Sequence, residues 1–234
     1  IWPAEFAAAE FILDVTDRIT KDMRDKIFAA SWDITTVGGK VYGMPWLLDE
    51  KYFYYNEELL SQAGFSAPPK TWEELIDQAK VIKEKGIVEY PIVWSWGQYE
   101  AAICDWVTLL YGNGGRLVDD SGKPIFNDEI CVKTLEWMLQ TIDEGITNPA
   151  SVSYVEEDVR NVFSQGKAVF AANWVYMYDL VNFNAEQSQV TGKIKMSLMP
   201  AFANSGVQSA TINGSMGFSV AATSPNKDAA WKYI

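Results

Sequence analysis

Apolar residues along the chain follow two alternating patterns. Short apolar runs rich in β-branched and aromatic residues predict strands, and stretches whose apolar residues recur at helical spacing predict helices. The predicted strands cover residues 41–48, 52–55, 87–94, 167–172, 194–198 and 217–221. The predicted helices cover residues 5–13, 22–30, 57–63, 72–85, 101–110, 129–144, 155–164, 173–181 and 225–234. Because strands alternate with helices through most of the chain, the pattern predicts an α/β protein.

Side-chain signals mark where two of the longer helices begin. Thr71-Trp72-Glu73-Glu74 forms a capping box, in which the Thr71 hydroxyl accepts from the Glu74 N–H and the Glu74 side chain returns to the Thr71 N–H. Asn127 or Asp128 is expected to cap the next long helix. Three apolar residues of that helix are predicted to share one face, namely Leu135, Leu139 and Ile142.

Large aromatic and polar side chains follow the predicted strand 87–94 at the point where it ends. They are Trp94, Trp96, Gln98, Tyr99 and Glu100. Ligands of open α/β sheets bind beyond the carboxyl ends of the strands. A flat indole or phenol ring suits the apolar face of a sugar, and amides and carboxylates suit its hydroxyl groups. We therefore expect Trp96 and its polar neighbours to face a ligand, whereas Trp94 fits the core equally well.

Three other positions are candidates for ligand contacts. Asn173-Trp174 directly follows the predicted strand 167–172, although packing in the core would explain this indole as well. The glycines of Gly214-Ser215-Met216-Gly217 would let the backbone approach a ligand closely. Asp49 interrupts an apolar run, so it lies either in a solvated bend or against a ligand, because a buried unpaired charge is costly.

Composition and charge exclude several classes of function. The 234 residues carry a net charge of −12, which argues against a nucleic-acid partner because neutralising phosphates needs Lys and Arg. The chain contains no histidine, so Ser-His-Asp and Cys-His nucleophilic sites are excluded, and neither a metal site nor a cofactor is expected. Cys104 and Cys131 are expected to be buried and reduced on helices, with a disulfide as the alternative. The length suits one large domain or two modest ones.

A family resemblance starts from the segment 39–75. Its characteristic residues are Gly39-Lys40, Tyr42-Gly43, Pro45, Tyr55-Asn56 and Pro69-Lys70-Thr71-Trp72-Glu73-Glu74-Leu75. The segment resembles the first interdomain crossover of the extracellular solute-binding proteins of ABC transporters, and within them the family 1, maltose/maltodextrin-type sugar binders. The segments Ile1–Ala7, Phe163–Ala168 and Ser224–Trp231 resemble further parts of that family. The resemblance therefore covers essentially the whole chain.

The resemblance implies a two-lobe periplasmic-binding-protein clamshell of type II, with a sugar bound in the cleft between the lobes. Residues 1–47 and 205–234 would belong to the first lobe and residues 48–204 to the second, with crossover strands near 45–52 and 203–214. The chain would then be a truncated segment. Its first lobe would lack the opening βα units, and its second lobe the helices that follow the last crossover.

The resemblance also implies which residues bind the ligand. Those carried over are Trp2, Glu5, Asp49, Trp96, Gln98, Tyr99, Glu100, Asn173, Trp174, Gly214, Ser215 and Met216. The implied protein is not an enzyme. It is a monomer outside the cytoplasm, either free in the periplasm or a cell-surface lipoprotein, that delivers a sugar or oligosaccharide to ABC permease subunits. One alternative is a glycoside hydrolase that uses carboxylates such as Asp49 and Glu100. Another is a lectin-like adhesion module, which would carry several exposed shallow sites instead of one enclosed cleft. The sequence does not name the sugar.

Overall fold

A computed structural model describes residues 2–234, so the first residue of the segment Ile1–Ala7, which resembles part of the family, lies outside the described residues. The described chain divides into two compact units. The first contains the residues up to Glu50 together with Asn213–Ile234, and the second contains Lys51–Ile212. The boundaries between the units therefore lie at 50/51 and 212/213, later in the chain than the expected lobe boundaries at 47/48 and 204/205. The assignment of the two units to two lobes stays a prediction.

Helices and strands alternate along the described chain, which confirms the α/β class. The α-helices are α1 (Trp2–Ala8), α2 (Lys21–Lys26), α3 (Ala29–Asp33), α4 (Glu57–Gln62), α5 (Trp72–Glu84), α6 (Glu100–Gly112), α7 (Glu129–Asp143), α8 (Glu156–Ser164), α9 (Tyr176–Phe183) and α10 (Lys227–Tyr233). The strands are β1 (Thr36–Val37), β2 (Lys40–Val41), β3 (Met44–Leu47), β4 (Lys51–Asn56), β5 (Ile92–Val93), β6 (Phe170–Trp174), β7 (Ile194–Ser197) and β8 (Met216–Phe218). Short 3-10 helices cover Thr16–Arg18 and Pro149–Ser153.

A mixed four-stranded sheet forms the centre of the second unit. Its strand order is β5-β6-β4-β7. β5 runs parallel to β6, whereas β4 pairs antiparallel with both β6 and β7. Parallel neighbours send their carboxyl ends to the same edge of the sheet, and an antiparallel neighbour sends its first residue there. The ends of β5 and β6 and the start of β4 therefore share one edge.

Aromatic residues fill the core on both faces of this sheet. Successive residues of a strand point to opposite faces, so Phe53 joins one cluster and Tyr54 the other. On the first face the Trp72 indole lies 5.9 Å from the Trp94 indole, measured between ring centroids. On the second face Phe163 of α8 packs edge-on against Tyr54. Both faces are covered, which fits the fully buried aromatic residues Phe53 and Tyr54 in the middle of β4.

The predicted start of α5 is half confirmed. The Thr71 hydroxyl accepts from the Glu74 N–H at 3.1 Å, as the capping box requires. The Glu74 carboxylate, however, accepts from the Lys70 N–H at 2.7 Å, so its predicted return to the Thr71 N–H is wrong. The carboxylate thus reaches the N–H of the residue just before the predicted one. Asp128 caps α7 as predicted, with its Oδ1 accepting from the Cys131 N–H at 3.1 Å.

The apolar stripe predicted on α7 is only partly buried. Ile142 packs against the core, whereas Leu135 and Leu139 are about half exposed, at 49% and 54%. The buried residues of α7 are Cys131, Thr134, Trp137, Met138 and Thr141. The two threonines can be buried because their hydroxyls donate to backbone carbonyls of their own helix.

Two strand boundaries also differ from the predictions. β6 runs to Trp174 instead of ending at residue 172, because Lys51 pairs with Trp174 and extends the ladder. The following helix accordingly begins at Tyr176 instead of residue 173. The predicted strand 87–94 is reduced to Ile92–Val93, since proline at position 91 has no N–H for the ladder.

Two small sheets organise the first unit. The β1–β2 hairpin turns through Gly38 and Gly39, whose φ angles of 55° and 79° fit the turn predicted from this glycine pair. β3 pairs antiparallel with β8, which joins the segment before the second unit to the segment after it. A small core of Val15, Trp32 and Val41 supports both sheets.

The helices and the two cysteines agree with a protein that has no membrane-spanning helix among its described residues and has buried, reduced thiols. Among the described residues, no helix combines the length and the apolar character that crossing a bilayer requires. Cys104 on α6 and Cys131 on α7 are buried free cysteines, as expected. Burial raises the pKa of each thiol to about 11, so both are protonated near neutral pH.

Candidate functional site

Tyr99, Glu156 and Trp174 form a hydrogen-bonded network at the shared edge of the four-stranded sheet. Trp174 Nε1 donates to Glu156 Oε1 at 3.1 Å, and the Tyr99 hydroxyl donates a short hydrogen bond to Glu156 Oε2. The Tyr99 oxygen also accepts from the Glu156 N–H at 3.1 Å, so this phenol satisfies one of the free N–H groups that begin α8. We refer to these three residues as the Glu156 network.

The Glu156 network is partly open to solvent. Tyr99 is 38% exposed, and Glu156 and Trp174 are half-buried. Each side chain is therefore held by its neighbours yet still reachable from outside. The arrangement presents an indole, a phenol and a carboxylate in fixed relative positions, and these groups are chemically suited to a ring that carries hydroxyl groups.

The protonation state of Glu156 follows from its surroundings. Burial would raise the pKa of this carboxyl, but hydrogen bonds from Tyr99 and Trp174, with the charge of Lys51, outweigh burial and lower it. Burial and the hydrogen bond to Glu156 raise the pKa of the Tyr99 phenol. At neutral pH Glu156 is thus an ionised hydrogen-bond acceptor beside a neutral phenol.

Lys51 and Asp105 form a fully buried ion pair next to this network. Lys51 Nζ lies 2.6 Å from Asp105 Oδ1, and both side chains are 0% exposed. Ser95 completes the group, because Lys51 Nζ donates to its hydroxyl at 3.3 Å. Burial raises the pKa of the Asp105 carboxyl, and Lys51 opposes that rise. Lys51 Nζ also lies 5.4 Å from the centroid of the Trp174 indole, within the range of a cation–π contact.

The backbone after β5 brings Tyr99 to Glu156. The Trp96 and Gly97 N–H groups donate to Ser151 and Tyr154 carbonyls at 2.9 and 3.0 Å. A Cβ atom at position 97 would lie 2.9 Å from the Tyr154 carbonyl oxygen, closer than a side chain tolerates. Glycine at this position therefore allows the two segments to touch, and Tyr99 follows two residues later.

The sequence-predicted residues of the second unit fall into two groups. Gln98, Tyr99 and Glu100 are exposed, and Trp174 is half-buried. Trp96 is only 8% exposed and stacks on Trp94 with ring centroids 5.2 Å apart.

Asn173 is fully buried, and its Nδ2 donates to the Glu156 carbonyl at 3.0 Å. Packing therefore encloses the Trp96 side chain within the second unit, and a backbone hydrogen bond engages that of Asn173. Any ligand contact of either residue stays a prediction.

The sequence-predicted residues of the first unit also fall into two groups. Asp49, Gly214 and Ser215 lie together, because the Gly214 N–H donates to the Asp49 carbonyl at 2.9 Å and the Asp49 N–H donates to Ser215 Oγ at 3.2 Å. Met216 follows in β8 and is 49% exposed. Trp2 and Glu5 are exposed on α1, with Trp2 at 70%. Their roles as ligand contacts stay predictions.

Three residues of the site were missed by the sequence analysis, namely Lys51, Asp105 and Glu156. Glu156 stands in an ordinary acidic helix start, and Lys51 stands in a run of charged residues that fits a solvated bend. One signal was available for Lys51, since it shares the strand face of Phe53 and is two residues before it. Nothing comparable marks Glu156 or Asp105.

Metal binding has no support in the part of the chain that the structure describes. No group of three or more His, Cys, Asp or Glu residues there could hold a metal ion. The Glu156 oxygens are instead engaged by the phenol and indole donors described above.

The sequence comparison decides the family. All of the sequence, residues 1–234, matches the family model described as "Bacterial extracellular solute-binding protein". The chain belongs to this family. As a solute-binding protein, it is 34% identical over 222 residues to the "Probable ABC transporter-binding protein" of Deinococcus radiodurans, which covers 92% of the chain and 51% of the relative. It is 25% identical over 208 residues to the arabinooligosaccharide-binding protein of Bacillus subtilis, covering 87% of the chain and 46% of the relative.

A solved structure confirms the type II periplasmic-binding-protein fold of this solute-binding protein. Maltose-bound MalE3 of T. maritima matches it with a TM-score of 0.88 and 33% identity, over 100% of the chain and 59% of MalE3. The chain thus spans about half the length of the curated relatives named here and somewhat more of MalE3.

Proposed function

We propose that the full protein is the extracytoplasmic solute-binding component of an ABC importer, which binds a sugar or oligosaccharide and delivers it to permease subunits. The observation that carries the proposal is the Glu156 network, in which Trp174 and Tyr99 flank an ionised carboxylate. The family membership supports the binding role. The names of the maltose-bound and arabinooligosaccharide-binding relatives support a carbohydrate as the ligand.

Binding by this site would involve no chemical reaction. The Trp174 indole would stack on the apolar face of a sugar ring and remove both surfaces from water. The free lone pairs of Glu156 would accept from sugar hydroxyl groups, and a hydrogen bond to a charged acceptor contributes about 1.5–3 kcal/mol. Stacking would thus supply much of the affinity, and the carboxylate would fix the orientation of the ring.

The charges of the site favour a neutral ligand over an anionic one. Glu156 is ionised and would repel a carboxylate or phosphate, and Lys51 is fully buried and already paired with Asp105. Any cation that could neutralise an anionic sugar would have to come from elsewhere in the protein. We therefore include neutral sugars, oligosaccharides and polyols in the proposed ligand class.

The proposal is tested with the full-length protein and a panel of neutral mono- and oligosaccharides and polyols. A ligand at 100 times its Kd stabilises the folded state by about 2.7 kcal/mol, so a binding sugar should raise the melting temperature by a few degrees. Neutral amino acids serve as the control class and should leave it unchanged. A panel in which only amino acids stabilise the protein would refute the carbohydrate assignment. Turnover of a binding glycoside, lost on replacing Asp49 or Glu100, would favour a hydrolase instead.

The pH dependence of sugar binding should report the protonation of Glu156. The pKa of this carboxyl is lowered, so the acceptor is present above the usual carboxyl range and is lost only as the pH falls through the depressed value. In Glu156→Gln we expect affinity at neutral pH to fall roughly tenfold, because a charged acceptor is replaced by a neutral one. The fall in affinity at acidic pH, which we call the acid limb of the binding curve, should be absent in this variant. Calorimetry between pH 3 and pH 8 measures it.

Glu157→Gln is the matched control for this experiment. Glu157 is the next residue of α8, is exposed, and pairs with Arg160 at 2.8 Å. This variant should keep both the affinity and the acid limb. An acid limb that survives in Glu156→Gln would assign the titration to another group and remove Glu156 from the binding step.

A further inference from the structure

We propose that Lys51 and Asp105 are positioning residues, whose buried ion pair holds the Trp174 indole in the orientation that sugar binding requires. The proposal deepens the function proposed above and rests on it. Neither residue would touch the ligand, because both side chains are fully buried. Their effect on binding would therefore pass through Trp174.

The connection to Trp174 is made by the sheet itself. Lys51 and Trp174 are directly paired across β4 and β6, so their Cα atoms stand opposite each other in the ladder. The Lys51 ammonium then lies 5.4 Å from the indole centroid, and its distance of 2.6 Å to Asp105 keeps it there. Since a cation is attracted to the face of an indole, the ring plane is constrained from that side.

Other contacts constrain the same residue from its remaining sides. The Tyr54 hydroxyl donates to the Trp174 carbonyl at 2.8 Å, which fixes the backbone. The Glu156 carboxylate accepts from Nε1 at 3.1 Å, which fixes the rotation of the ring. The cation on one face leaves only the opposite face of the indole for a ligand. Lys51, Tyr54 and Glu156 together define one orientation.

The ion pair is poorly explained by stability alone. Charges buried at 0% exposure lose their hydration, and well-packed apolar residues of similar size are often at least as stabilising. The neighbouring positions of the same unit show that an apolar solution is available, since Phe53 and Phe170 fill the core with ring centroids 5.6 Å apart. A charge kept in this place therefore indicates a role beyond packing.

The test replaces the whole pair by apolar residues in the full-length protein. Lys51→Met combined with Asp105→Leu removes both charges without leaving one of them unpaired. We expect the melting temperature to stay within a few degrees of the parent, while sugar affinity falls about tenfold as the ring loses the cation–π contact. A second double variant, Lys51→Leu with Asp105→Met, exchanges the two apolar side chains between the positions, in case the first combination packs poorly. Loss of folding in both pairs would show that the ion pair serves stability and would overturn the proposal.

A spectroscopic measurement separates positioning from a general structural effect. In protein labelled with 5-fluorotryptophan, the fluorine resonance of Trp174 is identified by its absence in Trp174→Phe. This resonance should shift or broaden in the apolar pair variant, while that of Trp72, buried in the core, should stay in place. An unchanged Trp174 resonance, or unchanged sugar affinity, would overturn the proposal.

A control uses the ion pair between Lys80 of α5 and Glu144, the residue that caps the end of α7, whose charged atoms lie 2.9 Å apart. Lys80→Met with Glu144→Leu should leave both the Trp174 resonance and the affinity unchanged. The measurement also separates this proposal from the proposed function. If the parent protein binds no sugar in the panel, the function fails, and the fluorine spectrum still shows whether the ion pair orders Trp174.

Discussion

Replacing Trp174 by alanine is expected to weaken sugar binding by roughly 30-fold or more, because truncating a central binding aromatic costs about 2 kcal/mol or more. The change removes the stacking surface and the Nε1 donor to Glu156 together. Trp174 is half-buried at the end of β6, so the fold should survive its truncation. Calorimetric titration with the best sugar of the panel measures the loss, and thermal unfolding in the absence of sugar measures the fold.

Two further variants separate the contributions of this side chain. Trp174→Phe keeps an aromatic face but loses the indole N–H, so affinity should fall roughly five- to tenfold, as expected for one hydrogen bond. Phe183→Ala truncates an aromatic residue of α9 that is 73% exposed and lies outside the Glu156 network, so affinity should not change. Equal affinity of the parent and Trp174→Ala would remove this residue from the site.

Replacing Lys51 alone by methionine should destabilise the folded protein by about 3–5 kcal/mol, because the partner charge stays buried without compensation. Asp105 is 0% exposed, and Lys51 Nζ is the cation within 2.6 Å of its carboxylate. Urea unfolding of the full-length protein measures the loss. The prediction contrasts with the double apolar variant, in which both charges are absent and most of the stability should return.

The pH dependence of this loss has a definite sign. Burial already raises the pKa of the Asp105 carboxyl in the folded protein, and removing Lys51 takes away a group that opposes the rise. A carboxyl whose pKa is raised on folding favours the folded state at low pH and opposes it as the pH rises through the folded pKa. The stability deficit of Lys51→Met should therefore be smaller at pH 5 than at pH 8.

Lys193→Met is the control for this experiment. Lys193 Nζ lies 2.6 Å from Glu58, but the two side chains are 41% and 49% exposed. An exposed pair contributes about 0–1 kcal/mol, so this variant should lose little stability and show no comparable pH dependence. A loss of stability in Lys51→Met as small as that in Lys193→Met would mean that Asp105 finds another partner when Lys51 is removed.

The part of the fold that was predicted depends on contacts close in sequence. The Thr71 and Asp128 caps each bond the N–H three residues later, and both are present. The glycine turn at 38–39 joins adjacent strands as expected. Predictions failed where distant segments compete with local pattern. On α7, threonines whose hydroxyls bond to their own helix are buried, while Leu135 and Leu139 of the predicted apolar stripe are exposed.

The candidate site was likewise predicted only where the position of a residue along the chain was informative. Trp174 and Tyr99 stand at strand ends, where the α/β pattern places ligands, and the structure holds them in one network. Trp96 follows the same rule, yet it stacks on Trp94 inside the core. A strand end thus indicates the edge of the sheet near which a side chain lies, but the direction of that side chain depends on which segments pack against it.

The sequence by itself determined the α/β class, the membership in the solute-binding family and the helix caps, because these depend on periodicity, motifs and contacts within one turn. Only the tertiary structure decided which polar and charged side chains meet. Lys51 and Asp105 are 54 residues apart along the chain, and Tyr99 and Glu156 are 57 apart. Lys51 and Trp174 meet by sheet pairing, whereas Asp105 and Glu156 reach this edge on helices packed against the sheet. No local pattern encodes such long-range contacts, because they form only when distant segments pack together.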